Sequence, residues 1–194
     1  RSPDIIASID MDELSGWTDK ALNSLSDDKI ALEAFIYGSF KGLDKYFGIY
    51  RPEERYDRQE RELLLDIGIR LALINPECVE SYFEYAPHAW KFLSKEKFDE
   101  WVLIGEEISK ESHAFGNTYF RNFTDTLSKN SPTYHGELLR TARMLLDKDW
   151  LLAGMFFENL PDAAEHAGPE DIRKWAGTGI KIYDQDKDLA IDYF

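Results

Sequence analysis

Chemistry in this chain would have to come from a small set of side chains, and their spacing decides what they can do. The four histidines, His88, His113, His135 and His166, are scattered. None has a histidine or cysteine at ligand spacing, and none sits in a Glu-x-x-His or His-Glu-x-x-His arrangement, so a zinc or di-iron centre has no sequence support. Asp184, Asp186 and Asp188 form a D-x-D-x-D string like the opening of a calcium loop. Leu189, however, stands where such a loop turns on glycine. Asp10, Asp12 and Glu13 form a second acidic cluster. It is read as a solvated helix start, because acidic side chains complement the free N–H groups of a first turn.

No Gly-x-Ser-x-Gly elbow and no phosphate loop ending in Lys-Ser/Thr occurs. Asn122-Phe123-Thr124 matches a glycosylation sequon, but no secretory signal is seen beside it. The expectation is therefore a protein that is not an enzyme, with no catalytic, cofactor-binding or metal-ligating residue.

The elements that must position these side chains announce themselves by recurrence. Residues 64–83, 101–120, 138–157 and 175–194 align without a gap at a spacing of 37 residues. Each copy opens on a bulky residue: Leu64, Trp101, Leu138, Trp175. A small residue follows four places on, Gly68, Gly105, Ala142, Gly179, and then an aliphatic, Leu71, Ile108, Leu145, Ile182. These offsets mark one face of an α-helix. Asn75, Ser112, Asp149 and Asp186 come next, residue types that cap a second helix. The pairs Tyr82-Phe83, Tyr119-Phe120, Phe156-Phe157 and Tyr193-Phe194 close the copies. Glycine inside a helix costs about 1 kcal/mol relative to alanine, so its recurrence at one position predicts a close helix–helix approach.

Repetition at this period signals a stacked array. The expected fold is all-α, a HEAT/armadillo-like α-solenoid of about five 37-residue helical repeats, the last one truncated. Residues 29–50 read as a degenerate first copy ending in Tyr46-Phe47, and residues 1–28 as acidic N-terminal capping helices. Between copies, HAWKFL after Pro87 and DAAEHA after Pro161 suggest a short third helix, with Ser94, Pro132 and Pro169 starting the next unit. A long helix is expected from Pro52, carrying the pairs Glu54–Arg58 and Asp57–Arg61 and a small basic stripe of Arg51, Arg55 and Arg58. Arg1 in place of an initiator methionine, and a copy that stops at Phe194, point to a piece of a longer protein.

The net charge of −14 repels phosphate backbones and favours basic protein partners over nucleic acid. Cys78 is the one cysteine, so the chain forms no internal disulfide, which fits a reducing, cytoplasmic setting. In register it matches Phe115, Leu152 and Leu189, and is read as core. No apolar run is long enough to span a bilayer.

The repeat phrase, Trp/Leu-x3-Gly-x2-Leu/Ile, then Asn/Ser/Asp, then Tyr/Phe-Phe, resembles the helical region ahead of the von Willebrand A domain in NorD- and CbbO-type bacterial proteins. These are companions of MoxR-type AAA+ ATPases that remodel or activate a target enzyme. The resemblance covers about residues 60 to 194. It implies a platform for the ATPase or its target, and a structural role for the matched positions. The metal motif of the A domain is missing here, so no functional residue carries over. The competing expectation is an all-α enzyme or ligand-binding domain with a pocket lined by Tyr85, Trp90 and Tyr134.

Overall fold

The computed structural model describes residues 11–46 and 58–194. Every regular element among them is helical. In chain order these are α1 (Met11–Leu25), α2 (Lys29–Tyr46), α3 (Arg58–Ile74), a 3-10 turn (Pro76–Cys78), α4 (Val79–Phe92) and α5 (Lys95–Glu111). There follow α6 (His113–Thr118), a π turn (Tyr119–Phe123), α7 (Thr124–Lys129), α8 (Pro132–Lys148), α9 (Trp150–His166), α10 (Pro169–Tyr183) and α11 (Lys187–Tyr193). The side chains of Asp10, Asp12, Glu13, Arg51, Arg55, Arg58, Tyr46 and Phe47, and the helix start at Pro52 with its two ion pairs, lie outside the described residues. The chain forms two compact units, Arg1–Pro87 and His88–Phe194.

The caps end and restart the helices. Asn75, Ser112, Asp149 and Asp186 all leave the helix in an extended conformation, with φ of −157°, −155°, −166° and −153°. Each side chain then accepts a bond from a free N–H of the next helix: Glu77 at 3.2 Å, Phe115 at 3.3 Å, Leu151 at 2.8 Å and Leu189 at 3.1 Å. Such a cap contributes about 1 kcal/mol.

In the first unit α1 packs on α2 and α3, and α2 packs on α3 and the 3-10 turn. Gly68 of α3 lies under the ring of Phe83, and the Tyr82 hydroxyl donates to the Leu64 carbonyl at 3.0 Å. Cys78 is fully buried. In the second unit the helices form two layers, α5, α8 and α10 in one, and α6–α7, α9 and α11 in the other. Gly105 lies under Phe120 and Gly179 under Phe194, while the Tyr119 hydroxyl donates to the Trp101 carbonyl at 3.0 Å. A Cβ on any of these three glycines would come well inside 3.0 Å of the ring. Ala142, in the same register, is buried as well.

Aromatic rings run through the second unit. Trp101 meets Phe120 at 5.1 Å, Tyr119 meets Phe157 at 4.8 Å, Phe156 meets Trp175 at 4.9 Å, and Trp175 meets Phe194 at 5.0 Å. Such pairs add about 0.5–1.5 kcal/mol each beyond the area they bury. Leu138, Leu145, Ile108, Phe156 and Phe157 are buried beside them. In the last copy Trp175 and Ile182 are half-buried and Leu189 is 56% exposed, whereas its counterparts Cys78 and Leu152 are fully buried.

The short third helix is a point of correction. The segments HAWKFL and DAAEHA, apart from their last residues Leu93 and Ala167, belong to α4 and α9, which continue through Pro87 and Pro161. A proline inside a helix leaves the carbonyl four residues back without its N–H. At Pro161 that carbonyl is Phe157, and the Asn122 side chain donates to it at 3.1 Å and to Glu158 O at 3.2 Å. The polar cost of the proline is met from the neighbouring layer element, so the helix need not end. α8 and α9 are consequently two long helices of 17 residues each, joined to α10 by a very short link.

Three substitutions test this packing. Gly105→Ala is expected to destabilise the chain by about 1–3 kcal/mol in chemical denaturation, overpacking the Phe120 seat despite the better helix propensity. Gly177→Ala, where the added carbon meets open space, is expected to be neutral or to stabilise by up to about 1 kcal/mol. Asn122→Ala should cost about 1–2 kcal/mol, and much less in a Pro161→Ala background, where the backbone N–H returns.

Candidate functional site

A polar cluster stands at the hairpin end of α8–α9 and α10–α11. Asp149 caps α9 through Oδ1, which accepts the N–H groups of Leu151 and Leu152. Its Oδ2 accepts the Tyr183 hydroxyl at 2.5 Å and the Lys187 ammonium at 3.1 Å. Lys148, paired with Asp184, and Lys187 both lie 5.5 Å from the centre of the Tyr183 ring, within cation–π reach. Partial burial pushes the Asp149 carboxyl up, but the bonds from Tyr183, Lys187 and Leu151 outweigh it and hold the group below its ordinary value. Both oxygens are saturated, so this carboxylate is built to hold two helix pairs together and is poorly placed to take a proton from a substrate.

Charge pairs of the same kind tie neighbouring helices along the unit. Arg143 of α8 meets Glu107 of α5 at 2.5 Å, Arg173 of α10 meets Glu137 of α8 at 3.6 Å, and Lys129 of α7 meets Glu165 of α9 at 3.0 Å. The Lys129–Glu165, Arg143–Glu107 and Lys148–Asp184 pairs each join residues 36 apart. Exposed pairs contribute little singly, about 0–1 kcal/mol. They set the register of adjacent helices more than their stability.

A groove of about 460 Å³ opens between α7 and α9. Thr126, Lys129, Asn130, Pro161, Ala164, Glu165 and His166 line it, and the Lys129–Glu165 pair lies within it. Of the aromatics named from the sequence as pocket candidates, Trp90 and Tyr134 are engaged within the fold, and neither lines this groove. The Tyr134 hydroxyl donates to Ala167 O at 3.2 Å, and Trp90 stands edge-on to Phe98 at 4.7 Å. The Asp184, Asp186, Asp188 string divides its duties, since Asp184 pairs with Lys148 and Asp186 caps α11. Asn122 uses its amide N–H groups on the α9 carbonyls.

The repeat positions named from the sequence are brought together as packing. Leu64, Gly68, Tyr82 and Phe83 form one seat, Trp101, Gly105, Tyr119 and Phe120 a second, and Trp175, Gly179 and Phe194 a third. Sequence reasoning missed Gly154, whose backbone lies against the Phe115 ring of the preceding copy. It also missed Tyr183, and read Asn122 only as part of a sequon; both act across copies rather than within one. The spacing of 36 between oppositely charged residues was the signal that could have shown the cross-copy register. No helix among the described residues is long and apolar enough to cross a membrane. Compared with known proteins, the chain matches no family model, no curated protein and no solved structure.

The depressed Asp149 carboxyl fixes the sign of a pH effect. Its contribution to stability is fully present above the ordinary carboxylate range and is lost as pH falls through the lower folded-state value. Asp149→Asn is expected to cost about 1–2 kcal/mol near neutral pH. The gap from the parent should narrow in acid, which thermal melts across the acidic range would read out.

Proposed function

We propose that this chain is a non-catalytic protein–protein interaction scaffold, a HEAT/armadillo-like α-solenoid built from about five 37-residue helical repeats. In this reading it is the adaptor part of a companion of a MoxR-type AAA+ ATPase, working in the cytoplasm in the activation or remodelling of a target enzyme. The observation that carries it is one geometry met at one offset. A ring fifteen residues on covers Gly68, Gly105 and Gly179 alike, and a hydroxyl eighteen residues on meets the carbonyls of Leu64 and Trp101. Cross-copy ion pairs at 36 residues support the same reading.

Stacked helix pairs offer long ridged faces to partners. The net charge of −14 favours a basic patch on whatever docks. The saturated Asp149 and the packed aromatics support a binding role over a catalytic one.

Two experiments address the two parts of the proposal. Duplicating residues 101–137 in place should leave a cooperatively folding chain with more helix by circular dichroism, because an array accepts a further unit; loss of cooperative folding would overturn the solenoid. Immobilised MoxR-type ATPase should capture the chain at low salt and release it as salt rises; absence of capture at low salt would overturn the ATPase assignment while leaving the array intact.

A further inference from the structure

Contacts between successive helix pairs of the second unit repeat at fixed offsets. The first ring of each closing aromatic pair is met by the closing phenylalanine of the next copy, 38 residues on: Tyr119 by Phe157 at 4.8 Å, and Phe156 by Phe194 at 5.8 Å. Trp175, which opens the last copy, meets Phe156 as well, at 4.9 Å. Asp149 caps its own helix with one oxygen. With the other it takes the Tyr183 hydroxyl, 34 residues on, and the Lys187 ammonium, 38 residues on.

On α11 the same positions hold residues of the same kind, and they are bare. Tyr193 stands in register with Tyr82, Tyr119 and Phe156, all fully buried, yet it is 37% exposed. Leu189, in register with the buried Leu152, is exposed too, and the two lie four residues apart on one helix face. Phe194 is half-buried, where Phe120 and Phe157 are buried. Asp186 caps α11 with one oxygen, as Asp149 caps α9, and its other oxygen takes no donor among the described residues. The face has the chemistry of α9 with its neighbour removed: an apolar ridge beside a carboxylate oxygen that can still accept.

What covers α9 therefore defines what fits α11. It is a pair of antiparallel helices that opens on a bulky aromatic and closes on a phenylalanine, with a tyrosine and a lysine four residues apart at its turn. The lysine also suits the exposed Asp188 and Asp192 of the same short helix. A second copy of this chain does not fit. Its own Tyr183 and Lys187 are bonded to Asp149, and it would set these acidic residues against their like.

Resting on the scaffold reading above, we propose that the outer face of α10–α11 is a docking surface for a helix pair of that chemistry, presented by a partner protein.

The test supplies such a pair from the chain's own sequence. Residues 158–194 are repeated after Phe194, which places copies of Tyr183 and Lys187 at the offsets of 34 and 38 residues from Asp186, at high effective concentration. In hydroxyl-radical footprinting, Tyr193 should react in the parent chain and be protected to the level of Tyr119 in the extended one. Asp186→Asn keeps the cap on α11, because the asparagine oxygen accepts the same N–H, but removes the carboxylate. It should leave the melting temperature of the parent unchanged and lower that of the extended chain by about 2–4 °C. The same residues offered as a separate peptide should protect Tyr193 of the parent in proportion to concentration. Tyr193 as reactive in the extended chain as in the parent would overturn the proposal, and so would an equal effect of Asp186→Asn in both. Protection in the extended chain with none from the peptide at millimolar concentration would overturn the partner in favour of an intrachain neighbour. A parent that sediments as a dimer, and as a monomer after Leu189→Glu, would overturn it in favour of a second copy. If duplicating residues 101–137 succeeds while Tyr193 stays reactive, the docking face falls and the array stands.

Discussion

The architecture depends on a missing side chain. At Gly68, Gly105 and Gly179 the first helix of a pair offers bare backbone, and a phenylalanine ring from the second helix lies on it. That seat fixes how near the two helices come and, at Gly68 and Gly105, so fixes the depth at which Tyr82 and Tyr119 reach the carbonyls of Leu64 and Trp101. The buried hydroxyl then has its partner, which a buried polar group requires. Burial pushes the Tyr119 hydroxyl well above its ordinary value, so it stays a neutral donor. One small residue thereby decides the hairpin geometry, the ring packing and the polar satisfaction together.

Between pairs the same economy is achieved by reaching across. Phe115 covers Gly154 from the preceding pair, and Asn122 supplies donors that Pro161 denies to its own helix. Neither contact can form within one pair. An isolated pair would leave the Phe157 carbonyl without this partner and the Phe115 ring without its seat. These two contacts therefore tie the stability of one pair to the presence of its neighbour, in addition to the shared apolar core.

The electrostatics have two scales. Locally, ion pairs such as Arg143–Glu107 and the Asp149–Tyr183–Lys187 cluster hold adjacent helices in register. Globally, 37 acidic residues against 23 basic ones leave a strongly negative surface after those pairs are formed. The first arrangement sets internal spacing. The second is a long-range field, which repels other anions over distances of about a Debye length.

The sequence by itself determined the paired helices, their caps and the register within each pair. These are local properties: side-chain period, an oxygen placed to accept a free N–H, and a small residue wherever a bulky one recurs fifteen positions later. Cys78, Leu71, Ile108 and Leu145 were legible as core for the same reason. What the tertiary structure alone decided are the matters in which one pair completes another. A proline inside a pattern reads as a helix end, because its lost hydrogen bond is visible in the sequence and the Asn122 side chain that compensates for it, 39 residues earlier, is not. Tyr183 and His135 were equally silent, one meeting a carboxylate and the other three carbonyls from distant turns. Backbone carbonyls leave no trace in residue identity, so the groups that bind them are found only when the chain is folded.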